Sequence, residues 1–177
     1  MDHTWKNSAA KALEAFHLPA YNDIPDVGLF LEQVTQYINS YFSALPYTVI
    51  TGSMISNYVK RGLIARPVRK QYSREQIAQL FFITAAKSVL TLEELQSIFR
   101  VQQRSYPTDV AYNYFCRELE NVLHFVFGLK GSLDTVGVEQ TEEKIMLRNT
   151  IIALAHRLYL AGYLRALAAE DEAPAEN

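Results

Sequence analysis

Apolar residues recur at helical spacing along much of this 177-residue chain. Val27, Leu31, Val34, Ile38 and Phe42 repeat every three or four positions, which predicts a helix with one apolar side over about 26–42. Ala111, Phe115, Leu119, Val122 and Val126 repeat the pattern after Pro107 and predict a second long helix to about Phe127. A weaker stripe of Ala9, Leu13 and Phe16 predicts a first helix over about 4–17, with Thr4 as cap and Pro19 closing the exit. The last helix is predicted from Thr141 to about Leu167. Between Ile151 and Leu164 only His156 and Arg157 carry or can take a positive charge, so this helix is apolar nearly all round and needs more than one neighbour.

The middle of the chain reads as short, punctuated elements. "SALPYTVI" interrupts the helical pattern, because Pro46 lacks an amide donor and disfavours helix at Leu45. Thr51 or Ser53 then caps a short helix with Ile55, Tyr58 and Val59 inward, and Gly62 fits just past its end. "IARPVRKQY" reads as a tight excursion or small wing. Ser73 and Thr91 each cap a following helix, with Glu75 and Gln76, and Glu93 and Glu94, in the first turns. "GLKGSLDTVGVEQ" holds three glycines and reads as a loop. The expected fold is therefore all-α, with at most a short β wing.

Charge sharpens this picture. The formal net charge is only −2. Yet Lys60, Arg61, Arg66, Arg69, Lys70 and Arg74 fall within residues 51–74, which hold no acid, while residues 1–50 sum to −3. Such sorting steers an anionic partner to one surface. A short helix with Ser53, Ser56 and Asn57 outward, bordered by these cations, has the chemistry of a DNA-reading element. The basic side chains neutralise phosphates, and an amide such as that of Asn57 can donate to and accept from adenine at once. Tyr58 and Tyr72 are expected to reach phosphates with their hydroxyls while packing their rings. The alternative is a solvated charged surface.

Several classes lose support. One cysteine, Cys116, excludes an intrachain disulfide and a cysteine-built zinc site. The four histidines sit in no metalloprotease pattern, and there is no nucleophile elbow, P-loop or dinucleotide fingerprint, so no enzyme, metal or cofactor is expected. Cys116, Glu120 and His124 share a helix side with Asp109, Asn113, Arg117 and Asn121, which predicts a water-facing stripe. "IIALAHRLYLAGYL" is too short to span a bilayer and the start lacks a signal-peptide core, so a soluble cytoplasmic protein is expected.

"GLI" at 62–64, the basic wing, "YS" at 72–73 and "QIAQLFFITAAKSVLTLEELQSIF" resemble the N-terminal domain of MerR-type transcription regulators. That resemblance implies a winged helix-turn-helix with a recognition helix at about 53–61 and a wing at 65–72. It gives Tyr58 the position of a backbone-contacting tyrosine and Lys70 that of the wing arginine. Ser56 stands where those regulators usually carry arginine. "IPDVGLFLEQVTQYI", "ITGSMISNYVKRGLI" and "KQYSREQIAQL" resemble bacterial domain-of-unknown-function family 1836 more closely, over roughly 20–125, a family itself regarded as MerR-like. Four regions follow: an N-terminal helix and connector at 1–24, a DNA-binding module at 25–104, a helical dimerisation and packing region at 105–168, and an acidic tail at 169–177. The expected function is transcriptional control by a homodimer on double-stranded DNA. Aromatic surface left over on the last two helices would serve that dimer or a small-molecule effector. A helical interaction or ligand-sensing protein that does not bind DNA is the alternative.

Overall fold

The computed structural model describes residues 4–45, 48–137 and 141–172. Among them lie seven α-helices: α1 (Thr4–Glu14), α2 (Leu31–Tyr41), α3 (Gly52–Lys60), α4 (Arg74–Ala86), α5 (Leu92–Ser105), α6 (Thr108–Val126) and α7 (Glu142–Glu172). Two short strands, β1 (Leu29–Phe30) and β2 (Gln71–Tyr72), pair antiparallel with Leu29 opposite Tyr72 and Phe30 opposite Gln71. Among the described residues the fold is all-α apart from this sheet.

α4 is the central element. From Ile77 to Ala86 only Gln79 is not fully buried, and α2, α6 and α7 pack round it. Thr84 tolerates this site because its hydroxyl donates to the Leu80 carbonyl at 2.7 Å. Phe81, 0 % exposed, meets the rings of Tyr37, Tyr41, Phe42 and Tyr112 at centroid distances of 5.7–6.0 Å. Truncating such a residue typically costs about 3–5 kcal/mol. One contiguous core runs from Leu13 to Leu158.

The apolar character of α7 is met by neighbours on several sides, chiefly α6 and α1. Ile151, Leu154, Ala155, Leu158 and Ala161 are buried. Trp5 of α1 meets Tyr159 edge-on at 5.0 Å, and Phe127 meets the same ring at 5.6 Å. Arg148 donates from both Nε and a terminal nitrogen to the carboxylate of the fully buried Glu118. Those hydrogen bonds raise the Arg148 pKa further. The stretch Glu142–Ala169 is long and apolar enough by composition to cross a membrane. Its buried positions pack into the core.

Three predicted boundaries shift. α1 stops at Glu14 rather than His17, and α7 continues to Glu172. α2 starts at Leu31, not near Asp26, and Val27 is 73 % exposed rather than part of an inward stripe. The cause is pairing with a distant segment. Phe30 is extended against Gln71, and Gln33 Oε1 accepts from the Phe30 amide at 2.9 Å, which ends the helix there.

Candidate nucleic-acid interface

α3 is fixed at both ends by local chemistry. Thr51 takes an extended conformation and its Oγ1 accepts from the Met54 amide at 3.3 Å. Gly62, at φ +72°, lets the chain turn left-handed at the exit. Leu63 then donates to the Tyr58 carbonyl at 2.9 Å and Gly62 to that of Val59 at 3.1 Å, the two bonds of a Schellman stop. Ile55 and Tyr58 face the core. Ser53, Ser56, Asn57 and Lys60, spaced at three, four and seven, are all exposed on the other side.

Side chains from neighbouring helices hold the approach to α3. Asn39 of α2 donates to the Ile50 carbonyl and accepts from the Ile50 amide, both at 2.9 Å, much as a paired strand would. Lys87, past the end of α4, donates to the Val49 carbonyl, and burial lowers its pKa.

The basic excursion is a β-hairpin. Val68 and Gln71 exchange both backbone hydrogen bonds, at 3.1 and 2.9 Å, leaving Arg69 and Lys70 as a two-residue tip. Their φ angles are 51° and 66°. Turns with both central residues left-handed favour Asn-Gly, since a Cβ there costs about 1–2 kcal/mol per residue. Placing Arg and Lys at this tip is therefore costly for stability.

The alternation of strand side chains sets the hairpin's two faces. Tyr72, 4 % exposed, turns inward, while its neighbour Gln71 shares the outer face with Phe30 and Val68, which are 50 % and 75 % exposed. Gly28 lies so close that a Cβ on it would stand 2.7 Å from the Gln71 Cβ, so only glycine fits without a shift. Gln76 of α4 anchors the base. Its Nε2 donates to the Ala65 carbonyl at 2.8 Å, and its Oε1 accepts from the Ser73 amide at 2.9 Å. Ser73 Oγ accepts from the Gln76 amide in return, completing a capping box.

The eight sequence-predicted residues Ser53, Ser56, Asn57, Lys60, Arg61, Arg66, Arg69 and Lys70 are exposed. None of the five cations among them makes a side-chain hydrogen bond or ion pair with any described residue. Two hydroxyls are partly engaged. Ser56 Oγ donates to the Gly52 carbonyl at 2.8 Å, and Ser53 Oγ lies 3.0 Å from Thr51 Oγ1.

Three predicted residues sit differently. Tyr58 and Tyr72 are 6 % and 4 % exposed, and burial raises both pKa values, so their rings serve the core first. Arg74 turns inward. Its Nε donates to the Ile24 carbonyl at 2.8 Å and lies 3.9 Å from Asp26 Oδ1, with the guanidinium 5.7 Å over the Tyr21 ring. It ties the connector to α4 and does not join the exposed cations.

The Cys116 stripe faces water only in part: Asp109 and Arg117 are exposed, while residues 13–21 cover much of the rest. Cys116 Sγ donates to the Pro19 carbonyl at 3.9 Å, and His124 Nε2 lies 3.1 Å from the Leu13 carbonyl. The Tyr21 amide donates to Asn113 Oδ1 at 2.9 Å. Burial pushes the thiol up to about 12. Among the described residues no three His, Cys, Asp or Glu side chains gather to hold a metal.

Sequence reasoning missed Asn39, Gly28 and the anchoring role of Gln76. The spacing Ser73 to Gln76 signalled the capping box, while the reach to Ala65 had no local signal. Comparison with curated proteins and with solved structures gives no match. A family model described as "Domain of unknown function (DUF1836)" matches residues 19–115, which takes in α2, α3, the hairpin, α4, α5 and the start of α6. With more than half its length matched, the chain belongs to the DUF1836 family.

Proposed function

We propose that this protein binds double-stranded DNA as a winged helix-turn-helix transcription regulator of MerR-like type, acting as a cytoplasmic homodimer. The observation that carries the reading is the hairpin tip. Arg69 and Lys70 hold left-handed backbone where glycine would be cheaper, and neither side chain has a hydrogen-bond or ion-pair partner among the described residues. Strain kept at an exposed cationic turn is best accounted for by a use for the cations.

In this reading Lys60, Arg61, Arg66, Arg69 and Lys70 neutralise phosphates and release counterions, which supplies affinity without sequence preference. The open side of α3 lies in the major groove. Asn57, whose amide has no intramolecular partner among the described residues, reads a base edge. Ser56 contributes chiefly as an acceptor, because its proton already serves Gly52, while Ser53 offers a hydroxyl that can donate or accept. Leu160 and Leu164 of α7, one turn apart and 54 % and 59 % exposed, support pairing of two copies.

Selection of bound duplexes from a random pool tests the reading. Wild type should enrich a defined site, and Asn57→Ala should relax preference at one position with a cost of about 1–3 kcal/mol there. Equal losses at every position would remove Asn57 from base reading. The second reading, a non-catalytic ligand-sensing or interaction protein, draws on an apolar cleft between α4, α5, α6 and α7. Failure of any duplex to bind at low salt would favour it.

A further inference from the structure

Between Ile77 and Ala86 of the central helix α4, Gln79 is the one residue not fully buried. It borders a cleft of about 250 Å³ between α4, α5, α6 and α7, on elements other than α3 and the hairpin. Phe82 of α4 meets Phe99 of α5 edge-on at 5.7 Å and Phe115 of α6 at 5.3 Å. These three rings, with Ile98 and Leu147, make the walls largely apolar. Apolar voids of about 150 Å³ already accept a benzene-sized molecule, so this one has room for roughly ten non-hydrogen atoms.

Most polar side chains at the cleft are already engaged or out of reach. Gln102 Nε2 donates to the Tyr106 carbonyl and Thr108 Oγ1 to Glu75 Oε1, both at 2.8 Å, and Glu143 Oε1 accepts from Ser105 at 3.2 Å. The Tyr106 hydroxyl lies 3.1 Å from Thr141 Oγ1, and Lys144 Nζ stands 5.5 Å from the centre of the Tyr114 ring. The hydroxyls of Tyr112 and Tyr114 are sealed from any occupant. That leaves Gln79 and Arg117, whose side chains make no hydrogen bond or ion pair with a described residue. Arg117 is exposed, so water already serves its charge. Gln79 is different. It lies on a helix otherwise buried around it, and its amide, with two donor hydrogens and one acceptor oxygen, stays accessible. A half-buried amide without partners forgoes hydrogen bonds that an occupant can restore.

We infer that this cleft binds a small, flat aromatic molecule whose single amide group pairs with the amide of Gln79. One Gln79 N–H donates to the occupant's carbonyl while Gln79 Oε1 accepts from the occupant's N–H, so both halves of the side chain are used. The phenylalanine rings supply the larger share of the affinity, and the paired amides set orientation.

The probes are benzamide, a ring with one amide, and ethylbenzene, a ring of similar size with no polar group. Methyl NMR of Ile98, Met146 and Leu147 would follow each titration in the full chain without DNA, with the Ile55 methyl as a remote reference. Both probes should shift the three cleft methyls saturably and leave Ile55 unmoved. Gln79→Met keeps the length of the side chain and removes its amide. It should weaken benzamide about tenfold, the worth of two net hydrogen bonds, and hold ethylbenzene within about a factor of two. Gln79→Leu supplies the same comparison if the methionine variant does not fold. Absent or unsaturable shifts in wild type would overturn the inference, and so would a ratio of benzamide to ethylbenzene affinity that replacing Gln79 does not change. Benzoate binding tighter than benzamide would assign selection to Arg117 and overturn it as well. Because no DNA enters the measurement, its failure and that of the DNA-binding reading are independent.

Discussion

Arg69 and Lys70 set the terms at the scale of single residues, because they occupy backbone that an L side chain resists. Lys70→Gly relieves that resistance and removes one cation. The variant should gain about 1 kcal/mol in denaturant unfolding while losing affinity for duplex DNA. A variant less stable than wild type would show that the tip is not strained. Arg74 illustrates what residue identity alone does not reveal. Its position beside the wing suggests a phosphate contact, but its partners Ile24, Asp26 and Tyr21 lie about fifty residues earlier. Composition marks a cation; only the fold decides whether it is already occupied.

Elements whose ends are set by nearby residues were legible in the sequence. Thr51, Ser73 and Thr91 cap α3, α4 and α5, and Gly62 stops α3, because each motif is complete within a few residues. The start of α2 and the cover over Cys116 were not legible. The first depends on pairing between Phe30 and Gln71, and the second on residues 13–21 returning to α6. Gln76 links the two kinds of information, being a cap by sequence and an anchor by contact. Gln76→Ala should cost about 1–3 kcal/mol, and the loss should be local to the hairpin. Hydrogen exchange should accelerate at the Gln71 amide and stay unchanged in the middle of α6. Uniform acceleration would make Gln76 a core residue without a special tie to the wing.

Over the whole molecule, five cations with no side-chain partner among the described residues fall between Lys60 and Lys70, while the surrounding sequence keeps the net charge near zero. Only part of the apolar surface of α7 is consumed by α6 and α1, which leaves Leu160 and Leu164 in solvent. Charged replacements, Leu160→Glu with Leu164→Glu, should convert a dimer to a folded monomer in analytical ultracentrifugation. A monomeric wild type would remove twofold operator recognition from the proposal.

The most direct trial of the central claim is fluorescence anisotropy with a random-sequence duplex across a series of salt concentrations. Five phosphate contacts per chain give a log–log slope of about −4.5 for each bound protomer, and Arg69→Ala with Lys70→Ala should reduce its magnitude by roughly two. Arg74→Ala, which removes an inward-facing cation, should leave the slope as it was. No binding at low salt, or a slope indifferent to the hairpin tip, would contradict the account.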